Sequence, residues 1–261
     1  QLQGWQPGEA IMIMGSKGHG KSFLAMFFAC KAYQNGAKVL FLSPEMSWEE
    51  CALRFDVILA RLAQQEFSLT GLTTGRVEET ERYRAWLESL CQREAFICID
   101  SADTATGAFT LASMLALQDE YRPDLLVVDG IHLVGGEDRV SGWERIKRAA
   151  DGLKAAAQYY KSVVIWCSQV DREAMRAPTE PAASGASAAY GKAAVEAANR
   201  LITLAAYAGD SRRRVFKVPN NRGGREYHTK QHLLFDVDIG RIEQLDVDLP
   251  QDFVSDGEMR I

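Results

Sequence analysis

Residues 10–22 read AIMIMGSKGHGKS, and this stretch decides the fold. It matches G-x-x-x-x-G-K-[ST] in full, between an apolar strand-like run at 10–14 and a helix-like run at 22–35. Glycines let successive backbone N–H groups turn toward phosphates, and a helix N-terminus adds a favourable dipole. The predicted nucleotide-binding residues are Gly15, Ser16, Lys17, Gly18, His19, Gly20, Lys21 and Ser22. We expect Lys21 to lie near the β- and γ-phosphates and the Ser22 hydroxyl to ligate Mg²⁺.

Outward from this loop, short β-rich runs alternate with helix-like stretches. Further strands are predicted at 38–42, 96–99, 125–129 and 162–167, and further helices at 48–65, 77–93, 111–121 and 143–160. This alternation predicts an α/β fold with a mostly parallel central sheet flanked by helices. Residues 70–75 are turn-rich. The last predicted strands, expected to be antiparallel, lie at 201–207, 213–218, 232–237 and 241–245.

Composition limits the class of protein. The chain has 261 residues, 47% apolar and 25% charged, which is typical of a globular domain. A formal charge of -5 excludes a nucleic-acid binder that relies on bulk positive charge, but not a local basic patch. No apolar run approaches the ~20 residues of a membrane span, and five cysteines without a CxxC pair argue against a zinc site or a disulfide framework. We expect one cytoplasmic domain over residues 1–261 with no membrane partner.

Three polar side chains follow predicted parallel strands. Asp129 ends the strand at 125–129, where it can hold Mg²⁺ through water. Glu45 follows the second strand, where a carboxylate can polarise the attacking water. Gln169 follows the strand at 162–167, where an amide can sense the γ-phosphate. Because parallel strands end at one edge of a sheet, we expect all three near the phosphate loop.

Basic side chains gather in two segments despite the negative net charge. Residues 134–148 include Arg139, Arg145 and Lys147, and a second basic stretch spans 172–192. Such clusters can follow the backbone of single-stranded DNA. A solvated start of a helix is the alternative for the first cluster.

Other segments are interpreted without a catalytic role. Residues 176–191 are dense in Ala, Ser, Pro and Gly, which predicts a mobile loop, and loops longer than ~12–15 residues are usually functional or disordered. The arginines at 212–214 precede a predicted strand, and we expect them on the outer surface. The four histidines, which are too scattered for a metal site, are His19, His132, His228 and His232.

Several motifs, in this order, resemble the C-terminal motor domain of the DnaB-type replicative helicases. Residues 2–9, LQGWQPGE, resemble the segment before that family's phosphate loop, and residues 41–46, FLSPEM, are close to its F-S-L-E-M element. Thr70-Gly71 is similar to its S/T-G element. Residues 128–133, VDGIHL, stand where the family has D-Y-L-Q-L, and residues 168–173, SQVDRE, resemble S-Q-L-x-R-E. The resemblance covers nearly the whole chain.

This resemblance implies a RecA-like P-loop NTPase fold in a homo-oligomer, a hexameric ring. The ring would use ATP and Mg²⁺ to move along single-stranded DNA and unwind duplex during replication. Glu45 would be the hydrolytic base, Asp129 and Ser22 would hold the metal, and Gln169 would couple the γ-phosphate to a channel loop. Primase or a helicase loader would be partners. The family's N-terminal domain and linker helix, which precede this region, are expected to be absent.

The chain departs from the family in its DNA element. The family has D-L-R-E-S-G-x-I-E-Q, which grips the DNA backbone, whereas residues 188–196 read AAYGKAAVE and keep only the Val-Glu end. This rewritten element favours a phage or mobile-element member. The DNA-binding residues that the resemblance and the basic clusters predict are Arg139, Arg172, Tyr190, Gly191 and Lys192.

A second departure lies near the C terminus. The family has K-x-R-N-G, which reaches the nucleotide of the neighbouring subunit, and residues 217–224 read KVPNNRGG. Arg222 fits the arginine finger of that element. Lys217 is the corresponding nucleotide-binding candidate, although it lies further upstream than the family's lysine.

Two alternatives stay open. One is a RecA/RadA-type or KaiC-like ATPase that assembles without unwinding DNA. The other is a ring subunit that binds nucleotide but turns it over poorly. The Glu45 and Gln169 motifs argue against the first, and the full set of Lys21, Glu45, Asp129 and Arg222 argues against the second.

Overall fold

The computed structural model describes residues 4–75, 80–90, 96–104, 107–135, 142–169, 195–207, 210–221 and 227–245. Helices in this part of the chain are α1 (Lys21–Gln34), α2 (Trp48–Leu62), α3 (Leu69–Thr73), α4 (Thr80–Leu90), α5 (Leu111–Tyr121) and α6 (Gly142–Tyr160). Its strands are β1 (Ala10–Gly15), β2 (Val39–Ser43), β3 (Ile97–Asp100), β4 (Leu125–Val128), β5 (Val163–Gln169), β6 (Arg200–Tyr207), β7 (Asp210–Asn221), β8 (Tyr227–Asp236) and β9 (Arg241–Leu245). Among these helices, none is long and apolar enough to cross a membrane.

The described strands form one nine-stranded sheet in the order β3-β2-β4-β5-β1-β6-β7-β8-β9. Neighbours from β3 to β6 are parallel, and neighbours from β6 to β9 are antiparallel. The predicted α/β fold, with antiparallel strands at the C-terminal edge, is confirmed. One detail was wrong: β6 was expected to be antiparallel, but it pairs parallel with β1 and antiparallel only with β7. It is the junction between the two halves.

Two apolar cores cover the faces of the parallel half. Alternation along β1 sends Ile11 and Ile13 to the core under α1 and α2, and Met12 and Met14 to the core under α5 and α6. Successive strand residues point to opposite faces, so a strand covered on both sides is apolar throughout. This is why β1 is buried at every position. The two cores hold the carboxyl ends of the parallel strands in a fixed arrangement.

Residues 69–73 form helix α3, which corrects the prediction of a turn at 70–75. The Ser68 hydroxyl accepts a hydrogen bond from the Gly71 N–H at 2.9 Å, which caps the helix. The same hydroxyl donates to Asp238 at 2.8 Å, and the second oxygen of Asp238 accepts from the Thr70 N–H at 2.8 Å. The helix is therefore stabilised by a carboxylate from the end of the chain, which the local sequence does not reveal.

Candidate functional site: the carboxyl edge of the parallel strands

The phosphate loop joins β1 to α1. Gly18 and Gly20 have left-handed backbone conformations, with φ of 79° and 92°, which residues with a Cβ rarely adopt. A Cβ on Gly15 would lie 2.4 Å from the Leu204 carbonyl oxygen, because β6 packs directly against the start of the loop. The three glycines of the motif are therefore required by the loop's own shape and by its neighbour.

Lys21 begins α1 and is buried inside the loop. Its ammonium donates to the Ser16 carbonyl at 3.0 Å. Burial lowers the pKa of Lys21, while the nearby Cys167, Glu45 and Asp129 act in the opposite direction. The cation is thus enclosed by the loop and faces two carboxylates.

Asp129 directly follows β4 and is 2% exposed. Burial raises the pKa of Asp129, while hydrogen bonds from Ser22 and Cys167 and the charge of Lys21 oppose that shift. Its Oδ2 atom has no hydrogen-bond partner among the described residues. A buried carboxylate oxygen beside the Ser22 hydroxyl suits a hard cation such as Mg²⁺, which prefers oxygen ligands and keeps several waters.

Glu45 lies just beyond β2, and side chains at the ends of two other strands contact its carboxylate. The Gln169 amide at the end of β5 donates to Glu45 Oε1 at 3.1 Å. His132 Nε2, beyond β4, lies 3.4 Å from the same oxygen. The structure thus brings together Glu45, Gln169, Asp129 and Lys21, as the common edge of the parallel strands predicted. His132 is an additional member that the sequence reasoning missed.

Other predicted residues lie elsewhere. Lys217, on β7, lines a groove with Leu24 and Phe27 of α1, and no phosphate-loop residue lines that groove. Lys147 forms an exposed ion pair with Asp151 on α6, with Nζ and Oδ2 2.7 Å apart, as in the solvated-helix alternative. All of the loop predicted at 176–191 lies outside the described residues. So do the candidates Arg139, Arg172, Tyr190, Gly191, Lys192 and Arg222. Their roles stay predictions.

Arg214 corrects the prediction of an outer-surface arginine run at 212–214. It lies within β7 and is 8% exposed. Its Nε donates to the His19 carbonyl of the phosphate loop at 2.8 Å, and its guanidinium lies over the Phe235 ring. The Phe235 ring also supports the loop, since a Cβ on Gly20 would come within 3.0 Å of it. Alternation along β7 turns this side chain inward, and the early start of that strand at Asp210 was not apparent from the sequence.

Fold and site together define a class, the RecA-like P-loop domains. Within that class the chain belongs to the DnaB-like helicase C-terminal domain family, whose model matches residues 1–189. No curated protein sequence matches the chain significantly.

Two solved structures illustrate the fold. A DnaB-like replicative helicase, whose structure was determined with its interactions with primase, is 15% identical with a TM-score of 0.76. The match covers 92% of this chain and 58% of that one, so this chain spans little more than half of that helicase. The ATPase domain of a phage protein is also 15% identical, with a TM-score of 0.77, and the match covers 93% of this chain and 87% of that domain. These similarities establish a RecA-like fold.

Proposed function

We propose that this chain is the ATP-hydrolysing motor of a replicative DNA helicase. One observation carries the proposal: the carboxylates of Glu45, beyond β2, and of Asp129, beyond β4, both lie close enough to Lys21 of the phosphate loop to raise its pKa, against the lowering that burial causes. A cation for phosphate, a carboxylate for a metal and a second carboxylate for water are the parts that nucleotide hydrolysis needs.

In this proposal each side chain has a separate task. Lys21 neutralises charge on the β- and γ-phosphates. Ser22 and Asp129 hold Mg²⁺, for which the unpartnered Oδ2 of Asp129 is a suitable ligand. When bound, the metal would stabilise negative charge on the phosphate oxygens. Glu45 accepts a proton from the water that attacks the γ-phosphorus, as the bond to the leaving ADP breaks.

The remaining parts of the proposal concern assembly and DNA. Arg222 directly follows β7 and would reach the nucleotide of an adjacent subunit in a hexameric ring, with Lys217 on the same strand. Arg139, Arg172, Tyr190, Gly191 and Lys192 would contact single-stranded DNA in the channel. Primase or a helicase loader would be the protein partners, in the cytoplasm of a bacterial or phage-infected cell. Membership of the family, whose model matches residues 1–189, supports the helicase part of this proposal. The roles of Tyr190, Gly191, Lys192, Lys217 and Arg222, beyond that range, rest on the motif resemblance.

Strand displacement tests the function. A forked DNA substrate with a single-stranded tail, ATP and Mg²⁺ should be unwound, and single-stranded DNA should stimulate ATP hydrolysis. Hydrolysis without displacement would instead support an ATPase that assembles on DNA without unwinding it. Nucleotide binding without hydrolysis would support a non-catalytic ring subunit.

A further inference from the structure

His132 lies on a short turn that leads back toward the site. Gly130 follows Asp129 with φ of 115°, and a 3-10 helix then spans Ile131–Leu133. A Cβ on Gly130 would lie 3.5 Å from the His132 ring and 3.8 Å from Glu45 Oε1. Ile131 is fully buried and fixes this turn in the core, which leaves His132 on the side that faces Glu45.

The imidazole approaches the Glu45 carboxylate at one oxygen. Its Nε2 is 3.4 Å from Glu45 Oε1, the oxygen that also accepts from the Gln169 amide at 3.1 Å. Both contacts therefore fall on one oxygen of the carboxylate. This arrangement orients the second oxygen, Oε2, as the one that accepts a proton.

The surroundings of the ring indicate its protonation state. Nδ1 is buried and has no hydrogen-bond partner in the described part of the chain. A buried N–H without an acceptor is costly, so the proton belongs on Nε2, which faces Glu45 Oε1 at 3.4 Å. Burial also lowers the pKa of His132, opposed by Glu45 and assisted by Lys21. The ring is thus a neutral donor toward the carboxylate.

Glu45 has particular need of such a contact. Its side chain is 37% exposed, and a partly solvated glutamate samples several rotamers unless contacts restrict it. A displacement of about 1 Å in a reacting group can lower a rate by about 10²-fold. Gln169 restricts the carboxylate from β5 and His132 restricts it from β4, so the two donors approach from different strands.

We infer that His132 is a positioning residue for the hydrolytic carboxylate, which it holds through Oε1 in the orientation that activates water. This inference rests on the proposed function, because it assigns the role of base to Glu45. His132 would act through Glu45 and touch neither nucleotide nor water.

The test is a double-mutant cycle on the full chain. His132→Leu has no donor, and His132→Gln keeps an N–H at a similar reach. Each is made in the wild-type and in the Glu45→Gln background. Steady-state ATP hydrolysis gives kcat, and titration with a fluorescent ATP analogue gives the nucleotide Kd.

We expect His132→Leu to lower kcat about 10- to 100-fold with an unchanged Kd, and His132→Gln to restore most of the rate. In the Glu45→Gln background, His132→Leu should have little further effect, because no base is left to orient. The inference is overturned if the fractional loss is the same in both backgrounds, if His132→Leu keeps the wild-type kcat, or if it loses nucleotide affinity. A wild-type protein without turnover would instead refute the proposed function itself.

Discussion

At the scale of single residues, two groups of the site are held by partners from distant parts of the chain. Gln169 donates to Glu45 across 124 positions of sequence, and Arg214 donates to the His19 carbonyl across 195. The phosphate loop thus owes its shape both to the glycines of its own motif and to Arg214, which donates to it from β7. Its shape depends on the antiparallel strands through Arg214 and Phe235, neither of which belongs to a motif.

Replacing Arg214 by Ala should weaken ATP binding and lower the free energy of unfolding by about 1.5–3 kcal/mol, the range for a hydrogen bond to a charged group. The physical reason is the loss of the bond to the His19 carbonyl and of the contact with the Phe235 ring. Nucleotide titration and urea unfolding measure the two effects. Arg212→Ala, at an exposed position of the same strand, is the control. Equal ATP affinity in the two variants would show that Arg214 does not hold the loop.

At the scale of secondary-structure elements, α2 and α4 are joined by a buried polar contact. The Tyr83 hydroxyl on α4 donates to the Asp56 carboxylate on α2, and Asp56 is 8% exposed. Burial raises the pKa of Asp56 from 3.8 to about 6, although the hydrogen bond from Tyr83 acts in the opposite direction. The folded protein therefore binds this proton more tightly than the unfolded chain does.

The contact predicts a pH-dependent difference between wild type and Asp56→Asn. Because the folded pKa is raised, the protonated carboxyl stabilises the fold below about pH 4, and this contribution is lost as the pH rises through 6. Asn keeps an acceptor for Tyr83 and does not ionise. The unfolding free energy of Asp56→Asn, measured relative to wild type, should therefore rise by up to about 3 kcal/mol between pH 4 and pH 7. A difference that stays constant across urea unfolding curves at these pH values would argue against a buried, titrating Asp56.

The sequence predicts elements well where the signal is local. Strands β1 and β4 are apolar throughout, and β5 is apolar as far as Cys167, because both faces of these strands are buried. The ends of β4 and β5 place Asp129 and Gln169 at one edge. The helix α3 was missed because its cap involves Asp238, and the parallel pairing of β6 was missed because it depends on β1. Arg214 and His132 were missed for the same reason, since their partners are remote in sequence.

At the scale of the whole molecule, the two halves of the sheet meet at the phosphate loop. The parallel half supplies Glu45, Asp129 and Gln169. The antiparallel half supports the loop through Arg214, which donates to the His19 carbonyl, and through Phe235, whose ring packs against Gly20. In the sequence, Arg222, which is proposed to reach the neighbouring subunit, comes directly after the last residue of β7, the strand that carries Arg214.

Mixing subunits tests the proposed ring. Lys21→Ala alone should abolish hydrolysis because it removes the cation at the phosphates, and Arg222→Ala alone should strongly reduce it. A mixture should recover activity, because some interfaces then join an intact loop to an intact arginine. An arginine supplied in trans is worth about 10³–10⁵ in rate, so partial recovery should be visible in a steady-state ATPase assay. No recovery at any mixing ratio would mean that the site needs no neighbour.

The central claim is that Glu45 activates water at this phosphate loop, and the direct measurement is ATP binding and hydrolysis by Glu45→Gln beside wild type. The amide keeps the shape of the side chain but cannot accept a proton. We therefore expect an ATP Kd close to that of wild type and a kcat about 10²–10⁴-fold lower. Loss of ATP binding together with turnover near the wild-type rate would contradict the account, because Glu45 would then be a structural residue of the turn after β2.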